Sequence, residues 1–201
     1  MSKIVLILGA GSNIGLNVAR VFSSKGSYKT VIVSRNPKEE LIKANDDTLT
    51  NAIAAAFTVT PDLLYVPLDK FNEDLNVNVT SAYAAAHEAV EGFKTLPEDV
   101  IRTFIYTGNV LNRQIIPSLL APGIGKAGAA HLIQSASEVY KKDEYRFHWA
   151  DERTVEGGPR GGTIDGESHG EFYYELATSV KPLTWDATFV AGKGYVDFNG
   201  K

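Results

Sequence analysis

The chain has 201 residues, 44% hydrophobic and 22% charged, enough for one soluble domain with a sizeable core. Its formal charge of −4 and pI near 5.6 give no electrostatic basis for binding nucleic acid or an anionic membrane surface. The absence of cysteine excludes disulfides and thiolate metal sites, and no apolar run approaches the ~20 residues that a spanning helix needs. With no signal-peptide layout at the start, the expectation is a cytoplasmic protein forming a single domain over residues 1–201.

Lys3–Leu8 predicts an apolar strand, and Gly9-Ala-Gly11-Ser-Asn-Ile-Gly15 follows it directly. A helix then runs from Asn13 to Lys25, with Ile14, Val18, Val21 and Phe22 on one face and Gly26 as its stop. Glycines permit the tight turn and the close approach of backbone to a ligand, and the helix start offers N–H groups to a phosphate. Strand, glycine turn and helix in that order mark a dinucleotide site, with Gly9, Ser12, Asn13, Ile14 and Gly15 against a pyrophosphate. The competing reading is a loop whose glycines serve only packing.

Thr30–Ser34 predicts a buried parallel strand, and Pro37 opens a short helix through Lys43. Asn45–Thr50 is too polar for a buried strand, Ala52–Phe57 is apolar but short, and Pro61 and Pro67 bracket a loop. A long helix spans Asn72 to Lys94 with an apolar stripe from Leu75 to Phe93, ended by Pro97. Arg102–Thr107 is the next strand, Pro122 opens a helix through Tyr140, and Tyr145–Ala150 is a further strand. A helix over Glu167–Thr178 and the segments Trp185–Val190 and Gly194–Phe198 complete the chain. Alternating strands and helices predict a Rossmann-like, doubly wound α/β fold with a mostly parallel sheet and helices on both faces.

Gly9–Gly15, Asn76–Tyr83, Thr103–Asn109, Gly123–Lys126, Ala150–Arg153, Ile164–His169 and Thr188–Tyr195 together resemble the short-chain dehydrogenase/reductase family, in an atypical fungal-like branch. The resemblance covers essentially the whole chain. It implies a nicotinamide cofactor, a small carbonyl or alcohol as substrate, and a homo-oligomer paired through the long helices Asn72–Lys94 and Pro122–Tyr140. In the glycine loop Leu8 and Asn13 depart from the family's threonine and middle glycine. Asn13 either tolerates a left-handed backbone against a phosphate or caps the helix. Ser34-Arg35 stands where NAD-preferring relatives carry an acid, so a guanidinium there favours the 2′-phosphate of NADP over NAD. Asn78 matches the asparagine that supports a water-linked proton relay; the alternative is a core amide satisfied by backbone. Asn51 resembles the turn after the family's fourth strand.

Family catalysis uses a Tyr-x-x-x-Lys pair and a serine. Lys126 fits the lysine slot, but four residues earlier stands Pro122, which has no proton to give. The serine slot falls to Asn109, with Thr107 beside it. Two readings stay open. Either another donor acts (Tyr106, Tyr83, Ser118 or a water chain), or the chain is a nucleotide-binding sensor or scaffold without standard carbonyl reduction. Tyr106 alternates with Ile105 and Thr107, so if Thr107 faces the cleft Tyr106 does not. Asp151-Glu-Arg153 follows a strand where ligands gather, and either touches substrate or cofactor or forms a solvated loop or a local ion pair. No histidine spacing suggests a metal site.

Between Ser34 and Asn78 the family has two βα steps, and here there is room for one. About one βα unit, ~30 residues, is missing. In the expected strand order this removes a central strand beside the first, leaving unpaired backbone and a bare apolar flank. Either Ala52–Phe57 fills that slot or the sequence is a variant lacking the unit.

Overall fold

A computed structural model describes residues 3–9, 11–33, 47–49 and 57–198. Ser34, Arg35, Asn51 and the helix expected from Pro37 lie outside the described residues. Strand β1 (Ile4–Leu8) leads through the glycine turn into helix α1 (Ile14–Gly26) and strand β2 (Lys29–Val33). The stop of α1 is not Gly26: Ser27 adopts the left-handed cap at φ 51°, and the N–H of Tyr28 returns to the Phe22 carbonyl at 3.3 Å. Asp47–Leu49 forms strand β3, parallel to β2, in a stretch that the sequence marks only as too polar for a buried strand. It is the outer strand of its sheet among the described residues, and an outer strand escapes the double apolar coverage demanded of a central one.

The long helix α2 begins earlier than expected, at Leu68. It runs as Leu68–Leu75, a π-turn over Asn76–Thr80, and Ser81–Lys94. Strand β4 (Arg102–Thr107) follows, then helix α3 (Leu120–Val139), which starts two residues before Pro122. Strand β5 extends over Tyr145–Arg153, so Asp151, Glu152 and Arg153 lie inside it rather than in a loop beyond it. Helix α4 (Gly166–Thr178) and strands β6 (Asp186–Val190) and β7 (Gly194–Tyr195) complete the order.

Helices cover both faces. Val18 and Phe22 of α1 and Phe172, Tyr173 and Leu176 of α4 close over Ala150, Ala187 and Phe189. On the opposite face Ala86 and Val90 of α2 and Ala129 and Ile133 of α3 cover Phe147 and Trp149. The small residues of α3 serve this contact: a Cβ on Gly125 would lie 2.8 Å from that of Asn78, and one on Gly128 3.1 Å from Val79. A glycine pair does the same between α1 and α4, where a Cβ on Gly170 would sit 2.9 Å from the Asn17 carbonyl.

The strands fall into two ladders, β1-β2-β3 and β4-β5-β6-β7, all parallel except β7. Strands β1 and β4 are each an edge, and no described strand joins them. Val5 and Ile7 turn toward the core while Ile4 and Leu6 stay 63% and 56% exposed. Among the described residues the β1 edge next to this gap has no partner strand; of Ala52–Phe57, the stretch expected to fill it, all but Phe57 lies outside the described residues.

Candidate active site

At the end of β1, Gly9 takes φ +71°, a conformation that glycine adopts without strain. A Cβ added at Gly9 or Gly11 would meet nothing within 4 Å, so the space over the turn is open. Ser12 and Asn13 are exposed there, Ile14 is half-buried and Gly15 is buried as α1 begins. Asn13 occupies the N-cap position without a side-chain cap bond and does not turn left-handed: its φ and ψ are −95° and −89°, and its Nδ2 donates to the Ile164 carbonyl at 3.0 Å. The side chain therefore ties the turn to the segment ahead of α4.

Beside this turn, at the carboxyl ends of β4 and β5, lies a pocket of about 410 Å³ bounded by Ile14, Thr107, Asn109, Asp151, Glu152 and His169 among others. Open α/β sheets take ligands in this position, outside the strand ends where chain direction switches. The Thr107 hydroxyl accepts a 2.7 Å bond from Tyr173, which keeps its own proton available to donate. Asn109 Oδ1 accepts from the N–H of Leu111 at 3.0 Å, fixing its amide at the rim. By composition Tyr173 belongs to the core or a subunit interface. It is buried in the core, yet its hydroxyl serves Thr107, a link that no spacing announces.

Lys126 reaches the same strand from the other face. Its Nζ donates to the Tyr106 hydroxyl at 3.2 Å and to the Thr107 carbonyl at 3.3 Å, and sits 4.7 Å from the Tyr106 ring centre. Burial lowers its pKa to about 8, against the opposing pull of the Asp151 charge. Tyr106 stacks on Trp149 and donates to the main-chain carbonyl of Asn78 at 3.3 Å. Its hydroxyl thus bridges Lys126 and Asn78, and burial raises its pKa to about 12. As the alternation predicts, Thr107 borders the pocket and Tyr106 points away from it. Asn78 Nδ2 donates to the Asp74 carbonyl at 3.0 Å, so its amide is satisfied by its own helix.

The structure thus gathers Ile14, Thr107 and Asn109 around one pocket and joins Lys126 to Asn78 through Tyr106. The Asp151-Glu-Arg153 trio is buried and paired. Arg153 Nε donates to Asp151 Oδ2 at 2.6 Å, and Glu152 Oε1 lies 2.8 Å from Arg160 Nε. Glu152 Oε2 accepts from the N–H of Asp165 at 2.9 Å and lies 3.5 Å from His169. Desolvation raises the Asp151 pKa to about 6 despite Arg153, and burial lowers that of His169. His87 and His131 are exposed, and no metal-binding cluster occurs among the described residues.

Parallel β-α units, a glycine turn at the first helix and a pocket at the strand ends define an α/β protein of the Rossmann type. A curated relative, "Short chain dehydrogenase/reductase dmxR12" of Cryptosporiopsis sp. (strain 8999), is 36% identical over 98% of this chain and 95% of its own. The chain therefore belongs to the short-chain dehydrogenase/reductase family. The matched span is 235 positions against 201 residues here, so the relative carries about 34 or more residues opposite gaps. Among solved structures, a metagenomic short-chain oxidoreductase in complex with NADP superposes with a TM-score of 0.76 at 15% identity, covering 94% of this chain and 98% of that one. A 4-hydroxyisoleucine dehydrogenase complexed with NADH and succinate gives 0.75 at 14% identity, with 95% and 98% covered. No protein-family model matches the chain. Among the described residues no helix is long and apolar enough to cross a membrane.

Proposed function

We propose that the chain forms one dinucleotide-binding domain over residues 1–201 and acts as an NADP(H)-dependent oxidoreductase on a small carbonyl or alcohol. The observation that carries this reading is the open glycine turn, where neither Gly9 nor Gly11 has an atom within 4 Å of a Cβ position. Gly9, Ser12, Asn13, Ile14 and Gly15 hold the pyrophosphate, Ser34 and Arg35 the adenosine phosphate, Asn51 the turn nearby, and Lys126 the nicotinamide ribose. Bound cofactor supplies or accepts the hydride. Thr107, with its proton still to donate, and Asn109 orient the substrate oxygen, and Asn78 anchors the Lys126 side through Tyr106. Self-association of a cytoplasmic homo-oligomer through the outer faces of α2 and α3, which expose Tyr83, Ile124 and Val139, belongs to the same reading.

Pro122 favours a second reading, in which nucleotide binding serves as a signal and no carbonyl is reduced. Calorimetric titration with NADPH, NADP, NADH and NAD tests the cofactor before any substrate is chosen. The expected result is tightest binding of the phosphorylated pair. Arg35→Glu should weaken NADPH about tenfold or more and change NADH by no more than about twofold. No measurable affinity for any adenine dinucleotide would overturn both readings.

A further inference from the structure

The family's tyrosine slot holds Pro122, Tyr106 faces away from the pocket, and the Tyr173 hydroxyl spends its proton on Thr107, so the proton donor must be sought among the groups that border the pocket. Asp151 is one. It lies on β5 just past the Thr107–Ala150 register pair, 1% exposed, and borders the pocket that Thr107 and Asn109 also line. Resting on the NADP(H) reading, we propose that Asp151 is the catalytic acid that replaces the missing tyrosine. Its Oδ2 is held by Arg153 Nε at 2.6 Å, which fixes the carboxyl plane and assigns the transferable proton to Oδ1. In the reductive direction the carbonyl carbon takes a hydride from reduced nicotinamide dinucleotide and the C=O π bond breaks. The oxygen then takes the Asp151 proton, leaving an alcohol, an oxidised cofactor and a carboxylate. Alcohol oxidation runs the same path backwards, with the carboxylate as base.

The other candidates bordering the pocket are committed elsewhere. Glu152 is occupied by Arg160 and the Asp165 N–H, and His169 Nδ1 lies 2.8 Å from the Asp165 carbonyl. The charged and titratable groups facing Asp151 are Arg153 on its own strand, Asp186 on β6, Arg113 beyond β4, Lys126 on α3 and Tyr173 on α4. Burial outweighs the cations and leaves Asp151 titrating near 6, within reach of working pH. An acid must be protonated to act, so reduction is fastest below that value and falls as pH rises through it, while oxidation rises.

The test measures three quantities on wild type and Asp151→Asn: NADPH affinity, single-turnover oxidation of bound NADPH by a carbonyl panel from about pH 5 to 8, and the carboxyl titration of the cofactor-free protein by ¹³C NMR. A carboxyl titrating near 6 should appear in wild type and be missing from the variant. The variant should keep NADPH affinity within about twofold and lose about 10²–10⁴ in rate together with the pH dependence. Asp151→Glu should keep the pH dependence at a reduced rate. A variant with the wild-type rate and profile overturns the assignment, as does a wild type that binds NADPH and consumes no carbonyl at pH 5. Failure of NADPH to bind overturns the functional reading itself and is seen separately in the affinity. If both variants fail to fold, a wild-type rate that is flat across the range overturns the assignment.

Discussion

The ammonium of Lys126 is held by the Tyr106 hydroxyl and the Thr107 carbonyl, in surroundings dry enough to bring its pKa to about 8. An unfolded lysine keeps its proton to about 10.4. At pH 7 both states are charged, so the folded chain bears the whole desolvation cost. Between about 8 and 10.4 the folded state releases the proton first, and stability rises with pH. Lys126→Met should therefore stabilise the protein by roughly 1 kcal/mol at pH 7, the desolvation relieved exceeding the two hydrogen bonds lost. Urea unfolding at pH 7 and near pH 10 checks this: the gain should shrink or reverse at the higher pH, and a gain independent of pH contradicts the argument. A measured gain would mark Lys126 as a residue whose place is justified by chemistry and not by stability, the role proposed for it at the nicotinamide ribose.

The contact between α1 and α4 connects packing to the nucleotide turn. A Cβ on Gly166 would fall 2.2 Å from Asn13 Oδ1, 2.7 Å from Asn17 Nδ2 and 2.8 Å from the Asn13 carbonyl. The amide could rotate away, but the carbonyl is main chain of the turn itself. Gly166→Ala should cost about 1–3 kcal/mol by overpacking and also weaken NADPH, because relief requires Asn13 to move. Thermal unfolding with calorimetry separates the two effects; a stability loss with unchanged affinity would mean that the turn does not hold the cofactor. Elements of this kind were legible where a local rule governs them. The glycine turn announces itself by spacing, and α1 by its apolar face. What stayed hidden depends on partners distant in the chain. Asp151, Glu152 and Arg153 read as a polar loop, yet they are buried strand because Arg153, Arg160 and the Asp165 N–H satisfy them. The Tyr173–Thr107 bond spans 66 positions, and the π-turn at Asn76–Thr80 has no residue that requires it. Strand β3 was missed for the opposite reason: polarity argues against a buried central strand, and Asp47–Leu49 is an outer one among the described residues.

At the scale of the whole molecule the described strands form two ladders, with none between β1 and β4 among the described residues. The length of Ser34–Asn78 predicts this gap, and the two separate ladders among the described residues agree with it. In a parallel strand alternate residues direct their N–H groups to opposite edges. Half of the β1 amides therefore enter the ladder with β2, and the rest face an edge where no described strand receives them. Native-state hydrogen exchange should split β1 accordingly. The amides bonded to β2 should be protected, and the intervening ones should exchange at least about tenfold faster than the central β5 amides, which have neighbours on both sides. Uniform protection along β1 would mean that some other part of the chain fills the slot. The split has a functional consequence, because β1 carries the glycine turn while β4 and β5 carry Thr107, Asn109 and Asp151. With no ladder joining the two halves among the described residues, the ties seen between them are side-chain contacts such as Asn13 to Ile164 and the shared packing of α1 on α4. A dinucleotide lying across both halves would bridge the gap, so saturating NADPH should slow exchange in β1 more than in β5. Equal slowing in the two strands would argue that the ladders already move as one body.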